Sequence, residues 1–176
     1  MQSFGFPPLA SSNARVLVLG SLPGRRSIEA SEYYANPQNG FWKIARAHDD
    51  SLPGKYGERA AWLAARGVAL WDVLAAATRS GSLDSDIEAD AIPNNFRAFF
   101  HAYPAIRRVC FNGATAAKLY RRLVIPTLSS TQQELVLHIL PSTSGAHASV
   151  SFADKMARWA IAWQANGAQS EQSRGS

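Results

Sequence analysis

Four short apolar runs, each nearly unbroken and each separated from the next by a helical pattern, constrain this chain more than anything else in it. They are RVLVLG (15–20), GVALWDV (67–73), RRVCFNG (107–113) and ELVLHILP (134–141). A strand with one wet face alternates apolar and polar residues. A run without alternation predicts a strand covered on both faces, as in a parallel sheet. Helical patterns occupy the intervals: GERAAWLAARG (57–67), NNFRAFFHAYP (94–104), GATAAKLYRRLVI (113–125) and SVSFADKMARWAIAWQ (149–164), with stop signals at Gly67 and Pro104. Phe152, Met156, Trp159 and Trp163 share one face of the last and are expected in the core. This alternation predicts an α/β fold, a three-layer α/β/α sandwich around a central, mostly parallel four-stranded sheet. One domain is expected over 1–166, followed by a polar tail, 167–176, expected to be disordered.

Folds of this kind carry their sites at the carboxyl ends of the strands. Gly20-Ser21, Asp72, Asn112-Gly113 and Pro141-Ser142 all lie just past predicted strand ends and should meet on one rim. Segment 21–57 is too long for an ordinary connection, and long loops in compact domains are usually functional. It contains SEYYANPQNGFWKIA, four aromatics close to two asparagines, with a short helix expected near 40–47.

Charge narrows the partners. The chain carries +5, and fourteen of its eighteen cations are Arg, whose planar fork suits phosphate oxygens. Paired cations at Arg25-Arg26, Arg107-Arg108 and Arg121-Arg122 are offset by an acidic patch, Asp84, Asp86, Glu88 and Asp90. A nucleic-acid partner and an ordinary solvated surface both fit this pattern. The single Cys110 excludes an internal disulfide or a Cys-rich zinc site. It reads as a buried hydrophobe rather than a nucleophile. The opening MQSFGFPPLASS has neither the basic nor the apolar region of a signal peptide, and no apolar run reaches the ~18 residues of a membrane span. A cytoplasmic protein, nucleoid-associated in a bacterium, is the expectation.

Several motifs fail on inspection. GSLPGRRS resembles a phosphate loop but is one residue short between its glycines and lacks the Lys. There is no GxGxxG, no GxSxG, and no metal-ligand spacing among His48, His101, His138 and His147. His138, inside a strand pattern, reads as structural. No Ser-His-Asp set can be assembled. Neither metal nor cofactor is expected.

The segments FGFPPL, VLVLGSLPG, YYANPQNGFWKI, GVALWDV, CFNG and LPSTSGAHA, in that order from Phe4 to Ala148, resemble the uracil-DNA glycosylase superfamily. Within it they are most similar to the deoxyinosine (hypoxanthine) DNA glycosylases. The combination of GSLPG, YYANPQNGFW and LPSTS carries the likeness. Better-known uracil-removing families place an Asp or Asn just before the Pro of the first motif, where it activates or positions water. Here that position is Leu22, preceded by Ser21. The deoxyinosine group relies on an Asn farther along the loop, which matches Asn39. The last motif usually reads PSTSP with a downstream Asn. This chain has Gly145 in place of the Pro and His147 where the Asn would stand.

The resemblance implies a role for each matching residue. Asn39 is the candidate catalytic group, its carbonyl orienting water or facing the cationic sugar, with Ser21 beside the site as a second candidate. An Asn closing the turn before Gly40 is the alternative. Flipped bases are held by aromatic stacking, and Tyr34 is the candidate stacker; Tyr33 and Phe41 are assigned to loop packing and Trp42 to the core. Asn112 offers one acceptor beside one donor, the pattern that pairs with N1–H and O6 of hypoxanthine; the alternative is a cap on the helix at Gly113. Gly20, Leu22 and Asp72 are expected to bound the base pocket, with helix capping as the alternative for Asp72. Ser142, Thr143 and Ser144 suit phosphate oxygens, while Gly145, Ala146 and His147 form the wedge that fills the vacated stack. The reading is a monomeric, monofunctional DNA glycosylase acting on DNA that contains a deaminated base, hypoxanthine first and uracil second. Its rivals are a mismatch-type uracil glycosylase, a non-catalytic damage-binding module, and a nucleotide-phosphate enzyme built on GSLPGRR.

Overall fold

The computed structural model describes residues 1–79 and 90–164. In chain order the elements are β1 (Gln2–Phe4), β2 (Val16–Gly20), α1 (Arg25–Ala30), α2 (Phe41–His48), α3 (Arg59–Ala65), β3 (Val68–Asp72), β4 (Leu74–Thr78), β5 (Ile92–Pro93), α4 (Phe96–Ala102), β6 (Arg108–Asn112), α5 (Ala114–Leu119), α6 (Ser130–Gln133), β7 (Val136–Leu140) and α7 (Phe152–Trp163). The four apolar runs are the four strands of one parallel sheet, in the order β3-β2-β6-β7. Their parallel register aligns Gly20 with Asp72, and Asn112 with Leu140. Strand ends that were distant in sequence are therefore level in space.

All five residues of β2 are buried, which requires cover on both faces. On one face Trp71, Leu19 and Phe111 stand in register. Trp71 packs on Phe96 and Phe99 of α4, and Phe111 packs on Tyr120 in the π-helical turn that extends α5. α7 lies on β2 and β7 and packs against α2, with Trp159 meeting Phe41 edge-on at 5.7 Å. The layers are thus helix, sheet, helix. Local signals set the helix starts. Asn95 caps α4 by accepting from Ala98 N, and Ser151 caps α7 by accepting from Asp154 N.

Several details differ from the sequence reading. β7 is an edge strand, exposed or half-buried over its first four residues, so it is not covered on both faces. Phe152 is half exposed and lies outside the core, while Trp159 is fully buried. A second sheet, β1-β4-β5, is antiparallel and was not expected. Its middle strand reads LAAAT, three alanines with Thr78 as its single β-branched residue, a weak strand signal. Of the expected acidic patch, Asp84, Asp86 and Glu88 lie outside the described residues, as does the tail 167–176. Asp90, the fourth, accepts from the backbone and hydroxyl of Thr78. No described helix is long and apolar enough to cross a membrane.

Candidate active site

The ends of β2, β3, β6 and β7 open on one cleft of about 740 Å³. Gly20, Ser21 and Leu22 line it from β2, Asp72 from β3 and Asn112 from β6. Tyr34 and Asn39 enter from the long loop after β2, and Ser142, Thr143, Ser144, Ala146 and His147 from the loop after β7. Gly145 does not line it.

The long loop is held by its aromatic residues. Tyr33 is buried, packs edge-on against Phe6 at 5.2 Å, and donates its hydroxyl to Pro7 O, which ties the loop to the FGFPPL segment. Burial first, and the nearby Asp72 charge second, push the Tyr33 phenol well above its ordinary value, so it remains a donor. Trp42 donates to Tyr33 O and lies half-buried under the Arg59 guanidinium, not in the core as expected. Tyr34 takes φ +57, a left-handed conformation that costs a bulky residue roughly 1–3 kcal/mol. That turn lays its ring on Phe41 at 4.2 Å with 28° between planes. It also brings its hydroxyl over Gly20, where a β-carbon would stand 3.0 Å from it and 2.5 Å from Asp72 Oδ1. Only glycine leaves room for both groups.

A hydrogen-bonded chain joins the two asparagines. Thr143 N donates to Asn112 Oδ1 at 2.9 Å, and Asn112 Nδ2 donates to Thr143 Oγ1 at 2.8 Å. Thr143 Oγ1 donates in turn to Asn39 Oδ1 at 2.8 Å, and Phe41 N donates to the same oxygen at 2.9 Å. Gly40 N donates to Thr143 O, so all the polar atoms of Thr143 are engaged. Gly145 seals the junction, since a β-carbon on it would meet Gln38 Cβ at 2.9 Å.

Four expectations change on this geometry. Thr143 is only 2% exposed and turned inward, so it does not fit the phosphate contact assigned to it. Asn112 meets Thr143 through both of its polar atoms, so the paired edge expected to read a base is occupied within the protein. It does not cap the following helix either, because the cap position is Gly113 and no side chain bonds there. The oxygen of Asn39 closes the turn that starts α2, as the turn alternative has it, and the residue also lines the cleft. Asp72 is followed by β4 rather than a helix, which removes its capping alternative.

Ser21 Oγ is buried in the cleft wall without a hydrogen-bond partner among the described residues. Leu22 is buried, and its carbonyl, with that of Pro23, accepts from the buried guanidinium of Arg79. Ser142 Oγ accepts from Ser144 N, and Ser144 Oγ accepts from Ala146 N. This shapes an exposed turn over 145–147 whose His147 carbonyl is held by Lys155 Nζ. Arg25, Arg26 and Arg158 stand at the cleft and give it a cationic wall. Sequence reasoning missed Arg79 and Arg158; neither sits in a recognisable motif. Among the described residues no group of three His, Cys, Asp or Glu could hold a metal ion.

Known proteins fit this geometry. The family model for the uracil DNA glycosylase superfamily matches residues 7–165. A hypoxanthine DNA glycosylase of Methanosarcina acetivorans is 37% identical over 145 residues, 81% of this chain and 87% of that protein. One from Methanosarcina barkeri is 33% identical over 166 residues, 93% of this chain and 99% of the relative. The solution NMR structure of a Methanosarcina acetivorans protein described as a candidate uracil DNA glycosylase superposes with a TM-score of 0.77 at 32% identity. That match covers 94% of this chain and 99% of the other. The parallel sheet, the cleft at its strand ends and these matches place the chain in the uracil DNA glycosylase superfamily.

Proposed function

We propose that this protein is a monofunctional DNA glycosylase that extrudes a deaminated base from DNA and hydrolyses its N-glycosidic bond, with hypoxanthine preferred and uracil second. The observation that carries the reading is the convergence of Asn39 and Asn112, far apart in sequence, on Thr143 at the wall of one cleft beside Tyr34.

A base inside a duplex must leave the stack to be reached. Ala146 and His147, on their exposed turn, fill the gap, and the Arg25, Arg26 and Arg158 cations with the Ser142 and Ser144 hydroxyls hold the flanking phosphates. The extruded base enters beside Tyr34, whose ring Phe41 backs from behind. Asn112 retains one amide hydrogen beyond its bond to Thr143, and that hydrogen serves a carbonyl such as O6 of hypoxanthine, where adenine has an amine. Uracil also presents carbonyls, so cleft shape ranks the two substrates.

In the reaction the C1′–N bond breaks, its electron pair leaves with the base, and water oxygen bonds to C1′ while its proton passes to solvent or to the departing base. The barrier lies in separating charge, which preorganised dipoles and charges lower. Asp72, buried at the end of β3, is placed to favour the sugar cation when ionised, and the Ser21 hydroxyl to hold water. Asn39 completes the set. Among the described residues the cleft is lined by no lysine, so no Schiff base and no strand cleavage follow. The protein acts as a monomer on cytoplasmic or nucleoid DNA.

The test is base release from oligonucleotides carrying inosine, uracil or xanthosine, with Asn39→Ala and Asn112→Ala alongside. Hypoxanthine release that falls in both variants is expected. Uracil release without hypoxanthine release would move the protein to the mismatch-type uracil glycosylases; binding without release would make it a damage-binding module.

A further inference from the structure

We infer that Thr143 is a positioning residue that turns Asn39 so that it meets the substrate with its amide nitrogen, as a donor, and not with its carbonyl. The inference rests on the glycosylase reading above and specifies which end of Asn39 acts.

Two backbone N–H groups, which can only donate, fix the polarity of the chain. Phe41 N–H points at one polar atom of the Asn39 side chain, which must then be the oxygen. Thr143 N–H does the same for Asn112, so the other amide atom of Asn112 is the nitrogen and donates to Thr143 Oγ1. One lone pair of the Thr143 hydroxyl takes that bond, and because the Asn39 atom it faces is an oxygen, its single proton goes to Asn39 Oδ1. Every link agrees with its neighbours, and no amide can flip without setting two donors face to face.

An amide oxygen has two lone pairs. Those of Asn39 are taken by Phe41 N–H and the Thr143 hydroxyl, at 2.9 and 2.8 Å. What Asn39 retains for the cleft is Nδ2 and its hydrogens. A donor cannot accept a proton from water. It can meet the negative charge that grows on the base as the C1′–N bond breaks, which in hypoxanthine spreads over N3, N7 and O6. Asn39 therefore stabilises the leaving group, and Thr143, 2% exposed and with its polar atoms engaged within the protein, acts through it.

The experiment is single-turnover hypoxanthine release from an inosine duplex by the full chain and by Asn39→Asp, Asn39→Ala, Thr143→Val and Thr143→Ser. Binding to a duplex carrying an uncleavable 2′-fluoro inosine analogue is measured in parallel. Asn39→Asp keeps an oxygen for the two internal donors but turns a second oxygen to the cleft, so it should be at least as slow as Asn39→Ala. Thr143→Val should lose about 10- to 100-fold in rate with little change in binding, and Thr143→Ser should recover most of it. An Asn39→Asp variant that outruns Asn39→Ala and gains rate as its carboxylate ionises would overturn the inference, since an acceptor would then be the working group. Thr143→Val at wild-type rate overturns it equally. Should Thr143→Val not fold, the comparison of Asp with Ala at position 39 decides alone. Full activity in Asn39→Ala is a different failure: it removes Asn39 from the reaction altogether.

Discussion

Gly20→Ala is the sharpest single perturbation of this site, because one methyl group meets two side chains of the cleft at once. The new carbon would stand 2.5 Å from Asp72 Oδ1 and 3.0 Å from the Tyr34 hydroxyl, so the carboxylate must move by more than half an ångström. The backbone cannot retreat. Gly20 is paired with Asp72 across β2 and β3, Val73 N donates to Gly20 O, and Asn94 Nδ2 donates to Asp72 O. Overpacking a tight site costs roughly 1–3 kcal/mol. Gly20 does not have a positive φ, so alanine adopts its backbone and returns about 0.4–1 kcal/mol by restricting the unfolded chain. The expected net loss is about 1–2 kcal/mol, which for a chain of this length lowers Tm by about 2–8 °C. The catalytic effect should be larger, since misplacing reacting groups by about 1 Å costs up to ~100-fold in rate. Circular-dichroism melts and single-turnover release of hypoxanthine measure the two effects on the same sample. A variant with lowered Tm and undiminished rate would refute the placement of Asp72 at the reacting sugar and of Tyr34 beside the base. A variant unchanged in both would refute the close approach itself.

Other expectations follow from other parts of the molecule. Arg158→Ala removes one cation from the cleft wall; it should weaken DNA binding alike for damaged and undamaged duplex and lower the slope of log Kd against log salt by roughly 0.9, and an unchanged slope would take Arg158 off the DNA. Ala146 is a small side chain on an exposed turn; if it is the wedge, as proposed, Ala146→Leu should raise the double-strand over single-strand preference, and equal ratios in cleavage assays would count against the wedge. Burial pushes the Cys110 thiol from about 9 up to about 12, with Arg108 acting weakly the other way. Its raised value means the folded chain holds a proton that the unfolded chain releases above pH 9. Stability from this group is therefore intact below pH 9 and falls by ~1.4 kcal/mol per pH unit toward pH 12. Urea titrations of wild type and Cys110→Ala between pH 8 and 11 should show the wild type declining more steeply, and parallel declines would place the thiol near solvent.

The central sheet was legible because its signal is local. Unbroken apolar runs such as VLVLG do not depend on what covers them, and strand ends in a parallel sheet come level whatever the loops do. The rim residues Gly20, Asp72 and Asn112 followed from that alone. β4 was not legible, because LAAAT is a strand through its place between β1 and β5 rather than through its residues. Phe152 shows the converse failure: its spacing matches Trp159, yet it is the first residue of α7 and half exposed, where Trp159 is fully buried.

The candidate site divides along the same line. Which residues reach the cleft was readable from motif order, but which atoms they present was not, because a carboxamide's orientation is set by partners as far as 104 positions away. Thr143 looked like a phosphate ligand because its neighbours Ser142 and Ser144 are hydroxyl residues at the cleft, and one residue's alternation turned it inward. Leu22, in turn, reads as a lost catalytic acid only while the site is thought to reside in one loop. With Asp72 reaching the cleft from β3 and Asn39 oriented from the loop after β7, the polar groups that the proposed reaction uses are spread over separate strand ends. The position before Pro23 is then free to be apolar.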